Sequence, residues 1–154
     1  MYLLWEPSFT EGKIDSIRTE LSRFPYMSDK NRTDEKIDDT IVDLFFSRTS
    51  MALEYGGGYI IFRRIGARDG RKTADLFWIH FPDCPFTHNM VRFGRDVIDK
   101  AGAILDLECI TMRTAAPGVA RMAARLGFEI KSIDPHGFEW YGRKVPLFHL
   151  SKEV

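Results

Sequence analysis

A chain of 154 residues has the length of one domain, able to bury a substantial core without disulfides or metals. Its 22 Lys and Arg balance 22 Asp and Glu, so bulk charge leaves no footprint for nucleic acid or acidic membrane. No apolar run is long enough to span a bilayer, the start MYLLWEPSF is too short and acidic for a secretory signal, and Cys84 and Cys109 lack zinc-site spacing. The expectation is one domain over 1–154, cytoplasmic, metal-free, with two reduced thiols.

Tyr2 to Trp5 reads as a first or edge strand ending at Glu6-Pro7. Thr10 caps a helix with Ile14, Ile17, Leu21 and Phe24 on one face, and Pro25 ends it. After the loop Ser28 to Arg32, Thr33 opens a second helix that buries Ile37, Ile41, Leu44 and Phe45, with Val42 broadening the stripe. Strands at Met51 to Tyr55 and Tyr59 to Ile65 flank Gly56-Gly57-Gly58. No helix follows the glycines and no Lys-Ser/Thr closes them, so a hairpin is favoured over a phosphate loop. A turn at Ala67 to Gly70 leads into the strand Thr73 to Phe81. Arg63, Arg64, Arg68, Arg71 and Lys72 gather at that tip, read as a solvated edge in preference to an anion site.

Thr87 caps a third helix with Met90, Phe93, Val97 and Ile98 inward and Gly102 as its stop. The strand Asp106 to Met112 must then run parallel to Thr73–Phe81 if the crossover is right-handed. Pro117 opens a short helix with Val119, Met122, Ala123 and Leu126 on one face, and Gly127-Phe128 supplies a left-handed stop with a returning apolar contact. Strand residues follow from Phe128 to Ile133, then a turn at Asp134 to Gly137, a strand at Phe138 to Tyr141, and a last strand Val145 to Leu150. In that last strand Pro146 marks an edge or a bulge. The fold class is α/β: a twisted mixed sheet of about seven strands with helices on both faces.

The ending Ala-Arg-Leu-Gly-Phe after a strand and short helix resembles the "LYEKLGF" helix of the GCN5-related N-acetyltransferases (GNAT), and the order of elements agrees with that architecture. The resemblance implies a strand at Thr73–Phe81 that splays from its neighbour to hold pantetheine, and a following loop Gln/Arg-x-x-Gly-x-Gly/Ala that wraps the pyrophosphate with N–H groups. This chain has Pro82-Asp83-Cys84-Pro85-Phe86-Thr87 in that place, with no glycine, two donors deleted by proline and an acidic residue. Ala116 and Ala123 stand where the family carries an Asn and a proton-donating Tyr.

A general base within the strands would be Glu54, Asp75, His80 or Glu108. His80 also reads as a core histidine, His88 as a helix-start residue, His136 as a turn residue and His149 as a pairing residue. Cys84 lacks the charge partner a nucleophile needs. With the loop read as degenerate, the expectation is a non-catalytic acetyltransferase-like module without a cofactor. The chain then resembles the acetyltransferase-like virion and assembly proteins of short-tailed bacteriophages. It would bind a protein partner, other virion proteins among them, through Tyr2, Trp5, Phe86 and Trp140 and the basic tip. The alternative is an active acetyl-CoA-dependent N-acyltransferase with an atypical cofactor loop.

Overall fold

The computed structural model describes residues 4–23 and 25–154. In chain order the elements are α1 (Glu11–Ser22), a 3-10 turn (Asp29–Asn31), α2 (Asp34–Phe46), β1 (Met51–Tyr55), β2 (Gly58–Arg68), β3 (Arg71–His80), α3 (His88–Ile104), β4 (Cys109–Thr114), α4 (Pro117–Arg125), β5 (Glu129–Trp140) and β6 (Arg143–Glu153). One mixed sheet runs β1-β2-β3-β4-β6-β5, parallel only between β3 and β4. Among the described residues no helix is long and apolar enough to cross a membrane.

Strand alternation divides the core into two layers. Ile60, Phe62, Ala74 and Leu76 project to one face and pack with Met90, Val97 and Ile98 of α3 and Ala120 and Ala123 of α4. Tyr59, Ile61 and Ile79 project to the other and pack with Ile17 and Leu21 of α1 and Ile37, Ile41 and Leu44 of α2. Each of the larger aliphatic and aromatic side chains contributes roughly 1.5–3 kcal/mol on burial, and each alanine less. The expected helix starts are real: Thr10, Thr33 and Thr87 each accept a hydrogen bond from a first-turn amide, of Lys13, Lys36 and Met90 respectively. Gly127 is the left-handed stop, with φ 97° and the Phe128 amide donating to Ala123 at 3.0 Å.

Several expectations are corrected. The sheet has six strands, not seven: residues 1–3 lie outside the described residues, and Trp5 forms only an isolated antiparallel bridge with Glu54. Phe24 also lies outside them. Val42 is 58% exposed, because it falls off the stripe set by Ile37, Ile41 and Leu44. Gly102 is inside α3. The left-handed stop is Asp106 at φ 54°, and the Leu107 amide returns to the Gly102 carbonyl at 2.8 Å. Asp134 to Gly137 does not reverse the chain. The Asp134 carboxylate accepts from the His136 amide and shapes a bulge within β5, opposite Pro146, and the turn comes at Tyr141 and Gly142 with φ 49° and 74°.

Candidate active site

The two parallel strands stay together for only three residue pairs, Thr73–Cys109, Ala74–Ile110 and Asp75–Thr111. Beyond them β3 continues to His80 bonded to β2, while Met112 to Thr114 of β4 stay with β6. One edge of Leu76–His80 is therefore open, facing a gap between neighbouring strands. Backbone groups there need partners that the sheet does not supply.

On the α3 side of this gap, Tyr55 organises the loop that follows β3. Its hydroxyl accepts from Trp78 Nε1 at 2.7 Å and donates to His80 Nδ1 at 2.6 Å. That leaves His80 Nε2 as the donor to the Cys84 carbonyl, 2.7 Å away. Phe86 packs on Trp78 and edge-on to His80, with ring centroids 5.6 and 5.1 Å apart. Pro82 and Asp83 line a cavity of about 500 Å³ beside α1, on the opposite face from α3. Segment 82–87 is thus shaped by aromatic side chains and a histidine where the family pattern uses glycine, and it delivers Thr87 as the cap of α3. Within the first turn of α3 the Met90 amide turns back to Thr87, while the His88 and Asn89 amides have no helical carbonyl to meet.

On the α1–α2 face, a cleft of about 1100 Å³ runs along the same gap. Asp75 and Thr111 lie at its floor, joined by a hydrogen bond from the Thr111 hydroxyl. Arg68 and Arg64 stand 3.1 and 3.7 Å from the Asp75 carboxylate. Burial pushes Asp75 up, but the hydrogen bonds from Thr111 and Arg68 outweigh it and hold the carboxyl below its usual range. Arg113 and His149, paired directly across β4 and β6, both line the cleft. Tyr26 lines it too. Burial pushes its phenol up to about 12, against a hydrogen bond from the His80 backbone, so the hydroxyl stays protonated at neutral pH.

A clasp joins the two sides of the cleft. The Asp29 carboxylate accepts from the Tyr141 and Gly142 amides at the β5–β6 tip, at 2.7 and 2.8 Å. Arg32 sits over the Tyr141 ring at 4.3 Å. The Gly142 amide first, then Tyr141 and Arg32, hold the Asp29 carboxyl below its ordinary value of 3.8. A depressed carboxylate stabilises the fold above that ordinary value and loses the contribution as pH falls through the folded value. The Tyr141 and Gly142 amide resonances should therefore stay fixed through the neutral range and move together only below pH 3.8. Asp29→Asn should abolish that joint transition; a transition at mildly acidic pH would mean the clasp is held by something else.

The four base candidates do not converge. Glu54 faces the smaller cavity, paired with Lys13 at 2.7 Å and accepting from the Ser8 amide at 3.3 Å. Burial, with Glu54 beside it, pushes the Tyr59 phenol there up to about 12. His80 is the link between Tyr55 and the loop, and Asp75 is the ion-paired floor of the cleft. Glu108 is exposed at the other end of β4, accepting from the Lys72 amide at 2.8 Å. Cys84 is half-buried near the Gly56 carbonyl, and both cysteines are free. Among the described residues no group of three His, Cys, Asp or Glu could hold a metal. Sequence reasoning missed Tyr26, Arg113 and His149 as cleft residues. Alternation could have put Arg113 on the face of Thr111, but its meeting with His149 needs the β4–β6 register.

No protein-family model and no curated protein sequence matches the chain. The solved structures do. A chimera of Vibrio cholerae spermidine N-acetyltransferase SpeG with hSSAT superposes with a TM-score of 0.74 at 14% identity, covering 99% of this chain and 95% of that one. The Vibrio cholerae enzyme in complex with CoA and spermine gives 0.69 at 14% identity, with coverage of 99% and 95%. A phosphinothricin N-acetyltransferase gives 0.71 at 14% identity, covering 100% of this chain and 99% of that one. The fold is that of the GCN5-related N-acetyltransferases.

These likenesses correct the expectations of a non-catalytic bacteriophage module and of no cofactor. The structures named above are those of N-acetyltransferases, one of them solved with CoA. The physical reason lies in the loop. Pro82 and Asp83 turn toward α1 and away from the start of α3. The open edge of β3 and the α3 start remain. Of the docking aromatics, Trp5 and Phe86 are exposed, Phe86 while packing on Trp78 and His80, Trp140 is half-exposed, and Tyr2 lies outside the described residues.

Proposed function

We propose that the chain is an acyl-CoA-dependent N-acyltransferase with an atypical cofactor loop. The observation that carries this reading is the parting of β3 and β4 after Asp75–Thr111, which leaves Leu76–His80 open beside a cleft. The residues present fit a CoA ester. The open edge of Leu76–His80 can bond the peptide-like arm, and the His88 and Asn89 amides at the start of α3, with Arg92 one turn on, can take the diphosphate. Bound there, the cofactor supplies an activated acyl thioester.

The chain's own residues then orient the amine and manage protons. His149, which lines the cleft, accepts the proton of the acceptor's ammonium at an imidazole nitrogen. The Tyr26 hydroxyl, protonated throughout the neutral range, donates a hydrogen bond into the same cleft. Asp75, held ionised by Thr111 and Arg68, fixes the floor. The acceptor does not carry over from the neighbours, whose names point to spermidine in some and phosphinothricin in another. It has to be read from the cleft.

Titration of isotope-labelled protein with acetyl-CoA should move the amides of Leu76–His80, His88–Arg92 and Met112–Thr114 first. Silence at these positions at millimolar cofactor, or shifts confined to the Arg71–Lys72 end of β3, would overturn the assignment.

A further inference from the structure

The chain as a whole is neutral, yet seven Lys and Arg side chains line the large cleft against two carboxylates, Asp75 and Glu139. Three of the cations are short of counter-charge. Asp75 is shared between Arg64 and Arg68. Arg63, whose side chain is 15% exposed, lies 3.4 Å from Asp43, an acid itself half in solvent, and stacks over Phe77 at 5.6 Å. The Arg113 side chain makes no ion pair or hydrogen bond with the described residues. Burial first, then the neighbouring Arg64 and Arg113, press the Arg63 guanidinium below its usual range, against the pull of Asp43 and Asp75. A desolvated cation beside other cations makes a positive potential that an anion relieves.

The backbone reinforces this. In a regular strand Arg64 would project to the face opposite Arg63. Here the β2–β3 register shifts between Arg63 and Gly66, and Arg64 adopts φ 52°, a left-handed conformation unfavourable for a side-chain-bearing residue. The bulge turns Arg64 onto the Asp75 side, so that consecutive arginines serve one cleft.

We propose that the cleft selects an amine carrying an oxyanion, a carboxylate or a phosphate, gripped by Arg63, Arg64 and Arg113. Guanidinium groups bind such oxyanions through paired hydrogen bonds. Held by Arg113, the acceptor's amine stands beside His149, its neighbour across β4 and β6. The amine half of the claim rests on the acyltransferase reading; the oxyanion half rests on the cleft alone.

The test is a cofactor-free titration that follows the arginine side-chain N–H resonances. The probes are phosphoethanolamine for the phosphate arm, L-glutamate for the carboxylate arm, and spermidine as a polycation. At least one anionic amine should move Arg63 and Arg113, and spermidine should not. Arg113→Gln and Arg64→Gly should each weaken that binding by roughly tenfold or more. Glycine takes the left-handed backbone freely, so Arg64→Gly should melt at or above the wild-type temperature while losing affinity, which separates grip from folding. Spermidine acting at lower concentration than both anionic amines, neither anionic amine moving the arginines, or variants that bind as tightly as wild type would each overturn the inference. Acetyl-CoA moving Leu76–His80 while the anionic probes leave the arginines still sinks this inference alone. The reverse pattern keeps the oxyanion site and sinks the acyltransferase reading alone.

Discussion

Gly58→Ala is expected to lose about 3–5 kcal/mol of folding stability, among the largest effects a single methyl can have. Gly58 closes the β1–β2 hairpin with φ 155°, and a Cβ there would lie 1.9 Å from the Ile79 carbonyl oxygen. That oxygen belongs to the backbone of β3, so no rotamer change relieves the overlap; β2 and β3 would have to move apart. Ile79 and His80 sit in the stretch with the open edge, so the damage reaches the site as well as the fold. Gly56 is the control. Nothing lies within 4 Å of a Cβ added there, and Gly56→Ala should stay within about 0.5 kcal/mol of wild type. Equal denaturant midpoints for the two variants would show that the hairpin does not pack as described.

The second large effect belongs to Tyr55→Phe, at about 2–4 kcal/mol. The phenol is buried and is both the acceptor for Trp78 Nε1 and the donor to His80 Nδ1. Removing one oxygen leaves two half-buried polar groups without that partner, and loss of a partner costs more than an average hydrogen bond contributes. His80 then loses the bond that sets its tautomer and so its grip on the Cys84 carbonyl. Weaker cofactor binding should accompany the lost stability, together with faster amide exchange at Cys84. A variant with wild-type stability and exchange would mean that segment 82–87 is held from elsewhere.

Local chemistry made much of the fold legible. Threonine caps, the Gly127-Phe128 stop and the period-two strands follow from residues within a few positions of one another. What escaped depends on distant pairing. That β3 and β4 part after Thr111 is set by β3 staying with β2 and β4 with β6. The same register brings Arg113 beside His149. The basic cluster read at the meander tip divides in two. Arg63, Arg64 and Arg68 line the cleft, while Arg71 pairs with Glu153 and Lys72 lies at the far end near Glu108. A bulge at Arg64 makes that division, and no residue type announces it. The zero net charge concealed it further, since totals do not report where charges gather. The loop misled for a related reason. Glycines are absent from the loop, yet the first amides of a capped helix are present whatever loop precedes it, and Thr87 caps α3.

The central claim, that this fold takes an acyl-CoA between β3 and β4, is tested most directly by thermal unfolding with and without acetyl-CoA. A ligand that binds only the folded state at about 100 times its dissociation constant adds about 2.7 kcal/mol. For a domain of this size each kcal/mol raises Tm by roughly 2–4 °C. The account predicts a rise of several degrees with acetyl-CoA, and no comparable rise with inorganic phosphate at matched ionic strength. A Tm unmoved at millimolar acetyl-CoA, or moved equally by phosphate, would contradict it.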